Sequence, residues 1–250
     1  MERELSAYNV AIARAGIIIL WLAVWEVVGR TDPMLLSYPT AVAGSLWSMV
    51  ASSELFGLLR ASGTIFICGW ALAVGVGILV GGIVGWFRPA RLMFEPFLNA
   101  LYSTPLVALI PLMVLWFGLG ISAMIASVTI NAIFPMIIMT ITGTRNAGRD
   151  YLEVARSFRL GRLATILKVV MPGAFPYLLV GLRLTTSSAL RGTIFAGFLI
   201  PDRGIGAALR SAGEALNSTR LYGLIMVVII AALFVDYLLR RGISQIDYTK

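Results

Sequence analysis

Residues 96–144 read PFLNALYSTPLVALIPLMVLWFGLGISAMIASVTINAIFPMIIMTITGT and contain no charged side chain in 49 positions. A helix needs about 20 mostly apolar residues to cross the hydrocarbon core of a bilayer, so this stretch is long enough for two such helices. The glycines in residues 118–122 (GLGIS) favour a turn between them. The stretch therefore predicts a pair of helices that cross a membrane.

Four further apolar stretches complete the predicted bundle. They cover residues 11–29, 61–87, 173–201 and 221–239, which gives six candidate spans in all. The composition agrees: 59% of residues are hydrophobic, 13% are charged and the mean hydropathy is +0.90, whereas soluble domains carry about 25% charged residues. The sequence predicts an all-α membrane protein with about six transmembrane helices, organised as a single domain over residues 1–250.

The composition also excludes several kinds of chemistry. The chain has no histidine, which rules out imidazole catalysis and histidine-ligated metal sites. Its single cysteine, Cys68, rules out an intrachain disulfide and a cysteine-rich metal site. Neither lysine, Lys168 or Lys250, follows a glycine, so the phosphate-binding G-x-x-x-x-G-K-[ST] loop of ATPases is absent. We therefore expect no catalytic residues, no metal and no cofactor in this chain.

The basic residues indicate how the spans are oriented. With both termini in the cytoplasm, thirteen lysines and arginines lie inside, five lie outside and two, Arg183 and Arg191, lie within a span. This bias fits the positive-inside rule, which accounts for the formal net charge of +8 without a nucleic-acid partner. We expect a multi-pass protein of the cell (inner or plasma) membrane. Its first span lacks an A-x-A cleavage site before Arg30, so we expect it to be retained as an anchor.

The internal segment of residues 145–172 is longer than a simple connection requires. Charged residues recur at every third position from Asp150 to Arg162, and apolar residues recur with the same period. A period of three drifts by about 60° per step around a helix with 3.6 residues per turn, so one continuous helix would scatter both patterns. Two short helices with a break near Leu160 and Gly161 would not, and Pro172 would end the second. Such an element is suited to docking another protein; a basic loop that only fixes the topology is the alternative.

The same segment resembles a known motif. Glu153-Val154-Ala155, followed by VVMP at 169–172, is similar to the EAA loop of binding-protein-dependent ABC importer permeases, which reads E-A-A, three residues, G, nine residues, I-x-L-P. The likeness covers most of the chain and points to the subgroup serving sulfonates, taurine, nitrate and related small solutes. It rests further on TP at 104–105, IPLMVLWFGLG at 110–120, FP at 134–135, PY at 176–177 and GLR at 181–183.

This resemblance implies a division of labour between subunits. In such importers the loop docks against a separate ATPase subunit, which holds ATP and Mg, and an external solute-binding protein delivers the substrate. A second permease copy, here expected to form a homodimer, completes the path through the lipid bilayer. The residues that the motif places in the coupling loop are Glu153, Ala155, Arg156, Arg159, Gly161 and Pro172.

Two positions depart from the family pattern. Arg159 stands six residues after Glu153, where the family has glycine, and a glycine follows only at Gly161. The break between the two coupling helices is therefore expected to be shifted or reshaped. The family also often has an acidic residue in the fifth span near residues 196–198, where this chain has Gly197, so we expect a different substrate pathway.

Arg191 is the principal candidate for contact with a substrate inside the membrane. It lies in the predicted fifth span near Ser187, Ser188 and Thr193. A charge at the bilayer centre costs about 2.5–3.5 kcal/mol, and such residues face a cavity or a partner. An arginine beside hydroxyls is suited to binding a sulfonate, carboxylate or nitrate through charge-assisted hydrogen bonds. The alternative is structural: Arg191 would pair with a carboxylate such as Glu26, or line a dimer interface.

Two other classes of function compete with ATP-driven import. An ion-coupled secondary carrier or channel would need acids or histidines within the spans, which offer only Glu26 and Asp236 near their ends. A membrane-embedded enzyme would need clustered carboxylates or a nucleophile with its base, and the sequence shows neither at a useful spacing. The residues therefore favour the permease subunit of an importer for a small anion.

Overall fold

The structure is a computed structural model that describes residues 7–32, 35–146, 158 and 160–246. Every regular element in these residues is helical, which confirms the predicted fold class. We number the α-helices along the described chain as α1 (Ala7–Thr31), α2 (Pro39–Ala51), α3 (Glu54–Trp86), α4 (Arg88–Ser103), α5 (Ile110–Phe117), α6 (Ile121–Asn146), α7 (Arg162–Thr165), α8 (Met171–Leu199), α9 (Ile205–Glu214) and α10 (Ser218–Ile246).

Five helical segments of the described chain are long and apolar enough to cross a membrane, and a sixth exists only if a bent pair counts as one span. The bent pair begins at Arg88, before the uncharged stretch, and its break agrees with the prediction from the sequence that Pro105 kinks or breaks a span. Arg88–Ser103 and Leu106–Phe117 meet at 93°. The break lies at Pro105, which forces the preceding residue, Thr104, into an extended conformation (φ −83°, ψ 151°). The five segments are Ile12–Thr31, Glu54–Trp86, Ile121–Asn146, Ile166–Leu199 and Ser218–Ile243.

The turn expected at residues 118–122 connects the bent pair to α6. Gly118 (φ 75°) and Gly120 (φ 130°) both have the positive φ that side chains with a Cβ atom rarely adopt. Helix α5 therefore ends at Phe117 and α6 begins at Ile121, as the sequence predicts.

A stripe of glycines on α3 brings this helix against α6. The four-residue spacing of Gly77, Gly81 and Gly85 predicts such close packing. A Cβ atom on Gly77 would lie 2.7 Å from the Cβ of Met136, and one on Gly81 would lie 2.6 Å from the Cβ of Thr140. Carbon atoms pack at about 3.5–4.0 Å, so a larger residue at either position would clash. The predicted close packing is confirmed.

Helix α6 lies at the centre of the bundle, between α3 and α8. More than half of its most apolar part is buried, a larger share than in the other spans. On the α8 side, a Cβ atom on Gly181 would lie 2.9 Å from the Cβ of Met139, and one on Gly143 would lie 3.1 Å from the Cβ of Ala174. The sequence predicts that Pro135 kinks or breaks this span, and the structure shows that it does not end α6, which continues past it to Asn146.

Helices α2, α9 and α10 pack together at the end of the bundle where α3 begins. The sequence predicts a surface helix within residues 38–59, and α2 supplies it, although residues 54–59 belong to α3. Met49, Leu209 and Leu224 meet in a buried cluster. Helix α9 also crosses α8 closely, because a Cβ atom on Gly197 would lie 3.0 Å from the Cα of Gly206. Residues 201–220 therefore form a packed cap on this end.

Helix α1 stands apart from the other spans. Its apolar side chains are largely exposed, and it is attached near one end. Trp25 donates a hydrogen bond from its indole nitrogen to the carbonyl oxygen of Ser37 (2.8 Å), and its ring lies 6.0 Å from that of Tyr222. An apolar cavity of about 490 Å³ separates α1 from α10.

The chain between residues 160 and 172 departs from one expectation. Leu160 and Gly161 lie outside any helix, as predicted, and α7 begins at Arg162. The prediction that Pro172 ends this helix is wrong. A π-helical turn, Ile166–Val170, follows α7 and continues directly into α8. Pro172 then lies in the first turn of α8, where a residue without a backbone N–H is tolerated.

Candidate functional site

One face of α8 carries polar side chains that the rest of the described chain does not cover. Arg191 is exposed, and Ser187 and Ser188 are half-buried beside it. The guanidinium of Arg191 donates a hydrogen bond to the hydroxyl of Ser188 (3.1 Å). Because these two residues are three apart on one helix, the bond holds the arginine side chain along the helix surface. The structure thus brings together Arg191 and Ser188, two of the predicted site residues.

The threonines of α8 lie on the opposite, buried face. Thr193 is 5% exposed and donates its hydroxyl hydrogen to the carbonyl of Ala189 (2.9 Å). Thr186 accepts a hydrogen bond from the indole nitrogen of Trp70 on α3 (2.9 Å). The hydroxyl of Thr185 is buried and has no partner among the described residues. Thr193 therefore points into the chain's own packing, away from the surface that bears Arg191.

Arg191 does not form the ion pair with Glu26 that the structural alternative offered. Glu26 instead forms an ion pair with Arg30 (2.7 Å) and accepts a hydrogen bond from the hydroxyl of Thr40 (2.8 Å). A guanidinium has five N–H donors in a planar fork. Apart from the bond to Ser188, the described chain leaves Arg191 facing outward, which suits it to a ligand or to a second chain.

Asn131 is a polar neighbour of this site that the sequence reasoning missed. It lies on α6, and a Cβ atom on Gly192 would be 3.2 Å from its Cβ. Its side-chain amide donates to the carbonyl of Ser127 (2.9 Å), so the amide oxygen is available as an acceptor. The sequence signal that could have identified Asn131 is an amide side chain in the middle of an uncharged run.

Most of the predicted coupling residues fall outside the described part of the chain. These are Glu153, Ala155, Arg156 and Arg159. Gly161 is exposed and its carbonyl accepts a hydrogen bond from the backbone N–H of Thr165 (2.9 Å). Nearby, Arg145 at the end of α6 lies 3.9 Å from Glu95 on α4, an ion pair that joins the bent pair to the start of this segment.

The comparison with known proteins decides the family. Residues 73–242 match the family described as the inner membrane component of binding-protein-dependent transport systems. The match covers well over half of the 250 residues. The chain belongs to this family. It is therefore a multi-pass inner-membrane permease of an ABC importer, as the resemblance of its sequence indicates.

Individual relatives agree with this assignment. The permease is 28% identical over 222 residues to a protein of Bacillus subtilis (strain 168) named as an aliphatic sulfonates transport permease, covering 88% of this chain and 80% of that protein. It is 32% identical over 200 residues to the Escherichia coli (strain K12) protein of the same name, covering 79% and 76%. The taurine transport system permease of Escherichia coli (strain K12) is 28% identical over 241 residues, covering 93% and 86%.

A solved structure supports the fold. The permease superimposes on a chain of the MetNI methionine ABC transporter in an inward-facing conformation with a TM-score of 0.62. The match covers 77% of this chain and 94% of that chain at 20% sequence identity. The likeness establishes the shared fold.

Arg183, the second arginine within a span of the permease, has a partner that the sequence did not identify. It was expected to extend toward the membrane surface or to pack on the coupling loop. In the structure its guanidinium lies 3.7 Å from the carboxylate of Asp236 on α10. Asp236 also pairs with Arg240, one helical turn further on, at 2.6 Å. The three residues form a cluster that ties α8 to α10.

Replacing Asp236 by asparagine is expected to weaken the contact between α8 and α10 only modestly. Its partners are about half exposed, and exposed ion pairs contribute about 0.2–1 kcal/mol. Thermal unfolding of Asp236→Asn, Arg183→Gln and the double variant would measure this coupling. Effects that add independently would show that the pair does not hold the two helices together.

Proposed function

We propose that the permease forms the translocation path for a small organic or inorganic anion, such as a sulfonate, taurine or nitrate. Arg191 carries this proposal, because it places an exposed guanidinium beside a hydroxyl within a membrane-spanning helix. The names of the sulfonate and taurine permeases among its relatives support the same class of substrate. Ser187 and Ser188 complete the polar part of the path, whereas the buried Thr193 lies on the opposite face of α8 and is no longer included in it.

A second copy of the permease would enclose this surface. The Arg191 face is open in a single chain, and a charged group facing hydrocarbon would be costly. Helix α4 offers a further uncovered surface, since none of its described residues is buried and Leu92 and Phe97 are both more than 60% exposed. A homodimer would bury both surfaces and place one Arg191 on each side of a central path.

ATP, with Mg, is proposed to bind to separate ATPase subunits that dock at residues 145–172. The motif assigns the docking role to Glu153, Ala155 and Arg156, with Arg159 in place of the family glycine. The connection to the path favours such coupling, because α7, the π-helical turn and α8 run on without a break. Motion of the docked segment would be carried directly into the helix that bears Arg191.

With both termini in the cytoplasm, residues 201–220 would face outward. An external solute-binding protein is proposed to dock near this cap. Its described surface carries two local ion pairs, Arg203 with Asp202 and Arg210 with Glu214. The hydrogen bond to Asp202 raises the pKa of Arg203 above its usual value. Such charges are suited to a polar, reversible contact.

Reversing the charge of Glu153 should release the ATPase subunits. The Glu153→Arg variant is expected to insert and fold normally but to lose most of the ATPase that co-purifies with the tagged permease in mild detergent. The matched control is Glu214→Arg, a charge reversal at the opposite end of the bundle. Equal ATPase recovery with Glu153→Arg would place the docking contact elsewhere.

Transport in proteoliposomes tests the function as a whole. The purified complex, with its binding protein and radiolabelled taurine or an alkanesulfonate, is expected to accumulate substrate only when ATP is present. Uptake that follows a proton or sodium gradient without ATP would instead support an ion-coupled carrier.

A further inference from the structure

An open polar cavity of about 510 Å³ lies at the end of the bundle where α3 and α10 begin. Its volume falls within the range of about 300–1,000 Å³ that is typical of small-molecule sites. It is distant in sequence from the Arg191 surface and shares no residue with it. The lining comes from α2, the first residue of α3 and the start of α10: Ala41, Gly44, Ser45, Ser48, Met49, Glu54, Asn217, Thr219 and Arg220.

The cavity contains one acid and one base. The guanidinium of Arg220 donates a hydrogen bond to one carboxylate oxygen of Glu54. The Nε–H of Arg220 is buried and has no partner in the described part of the chain. The hydroxyls of Ser45, Ser48 and Thr219 lie around this pair. The Arg220 side chain is 39% exposed as a whole, so its other N–H groups offer donors for an anionic oxygen, and the carboxylate of Glu54 beside them offers an acceptor for a cation.

The position of the cavity along the spans places it in the layer of lipid headgroups. Arg220 directly precedes the charge-free stretch that begins at Leu221. Glu54 accepts a hydrogen bond from Arg220, so its carboxylate lies at the same depth. The headgroup layer beyond each side of the hydrocarbon core is about 5–8 Å deep. Both ionic groups thus lie at the depth of phosphate and ammonium groups.

Exposed aromatic side chains on two of the helices that line the cavity support this depth. Trp47 on α2 is 74% exposed and Phe56 on α3 is 71% exposed. Tryptophan is enriched at the boundary between a membrane and water. These side chains are suited to anchoring the rim of the cavity among lipids.

We propose that this cavity binds the headgroup of a zwitterionic phospholipid with a primary ammonium group, of the phosphatidylethanolamine type. Arg220 would donate to the phosphate, and Glu54 with the serine hydroxyls would accept from the ammonium. A purely anionic headgroup would meet the carboxylate of Glu54, and a quaternary ammonium has no N–H to donate. The site requires only that the chain spans a bilayer, so it does not depend on the solute transported or on the orientation of the chain.

Native mass spectrometry of the delipidated permease complex, titrated with single lipids, tests the site. Dioleoyl phosphatidylethanolamine is expected to bind about tenfold more tightly than dioleoyl phosphatidylcholine, because only its ammonium can donate a charge-assisted hydrogen bond to the carboxylate. Glu54→Gln and Arg220→Gln should each remove this preference. Glu214→Gln and Arg210→Gln, which alter an exposed ion pair within α9 at this end of the described chain, should leave it unchanged.

A second variant keeps the test valid if the charge substitutions disrupt folding. Gly44 lines the cavity and a Cβ atom there would meet nothing within 4 Å, so Gly44→Leu should fill the cavity without disturbing the fold. Gly213→Leu, equally unobstructed on α9, is the control. Equal binding of the two lipids, equally tight binding of dioleoyl phosphatidylglycerol, or unchanged selectivity in Gly44→Leu would overturn the proposal. Binding of soluble phosphoethanolamine as tightly as the lipid would show a site for a free solute and would overturn it as well.

Discussion

Replacing Gly81 by leucine is expected to destabilise the permease more than any other single substitution considered. A Cβ atom at this position would lie 2.6 Å from the Cβ of Thr140 and 2.7 Å from the backbone carbonyl oxygen of Ile137. A backbone atom cannot rotate away, so α3 and α6 would have to separate along their whole contact. Overpacked cores lose about 1–3 kcal/mol and sometimes more, and we expect Gly81→Leu to lie at or above the upper end.

The adjacent residue provides the control for this substitution. A Cβ atom on Gly82 would meet nothing within 4 Å, so Gly82→Leu changes the same kind of residue on the same helix without touching α6. The melting temperature and the monodisperse yield in detergent should fall sharply for Gly81→Leu and remain near wild type for Gly82→Leu. Equal behaviour of the two variants would mean that α3 and α6 do not pack along this stripe.

Replacing Arg191 by alanine is expected to lower transport at limiting substrate by about 10–100-fold. Hydrogen bonds to charged groups contribute about 1.5–3 kcal/mol, and 1.4 kcal/mol corresponds to a factor of ten. Arg191→Lys keeps the charge but loses the planar fork that matches a sulfonate or carboxylate, so an intermediate rate is expected. The measurement is ATP-dependent uptake by proteoliposomes, with the amount of co-purified ATPase recorded for each variant.

The structural alternative for Arg191 has a different signature. If Arg191 only stabilises an interface, its loss should lower the melting temperature and reduce uptake of every substrate in proportion to the remaining assembly. Arg30→Ala, which removes an exposed arginine at the end of α1, should affect neither quantity. Wild-type uptake by Arg191→Ala would contradict a role in the path.

The features of this fold that depend on composition and local spacing were predictable. Uncharged runs locate the spans because hydrocarbon admits few charges. The glycines at residues 118–120 locate a turn because their positive φ is available to few other residues. Glycines four residues apart indicate a helix contact because they share one face of α3. In each case the cause lies within a few residues of its effect.

The features of this fold that depend on residues far apart in the chain were not predictable. A sequence shows that Pro105 can interrupt a helix, but not that the two halves meet at 93°, since that angle depends on what each half packs against. The partner of Arg183 is Asp236, 53 positions later, and no local pattern joins them. Pro172 does not end a helix because a π-helical turn joins α7 to α8. Such a turn leaves no clear periodic signal in five residues.

The π-helical turn, Ile166–Val170, runs directly into α8, so the two can tilt together as a lever. Residues 166–199 form one continuous helical segment, and Arg191 lies 25 residues along it from Ile166. At 1.5 Å per residue the distance from Ile166 to Arg191 is about 37 Å, so a tilt of about 5° about Ile166 would move Arg191 sideways by about 3 Å. A shift of that size is comparable to the length of a hydrogen bond, and it is enough to make or break the contact proposed between Arg191 and an anion.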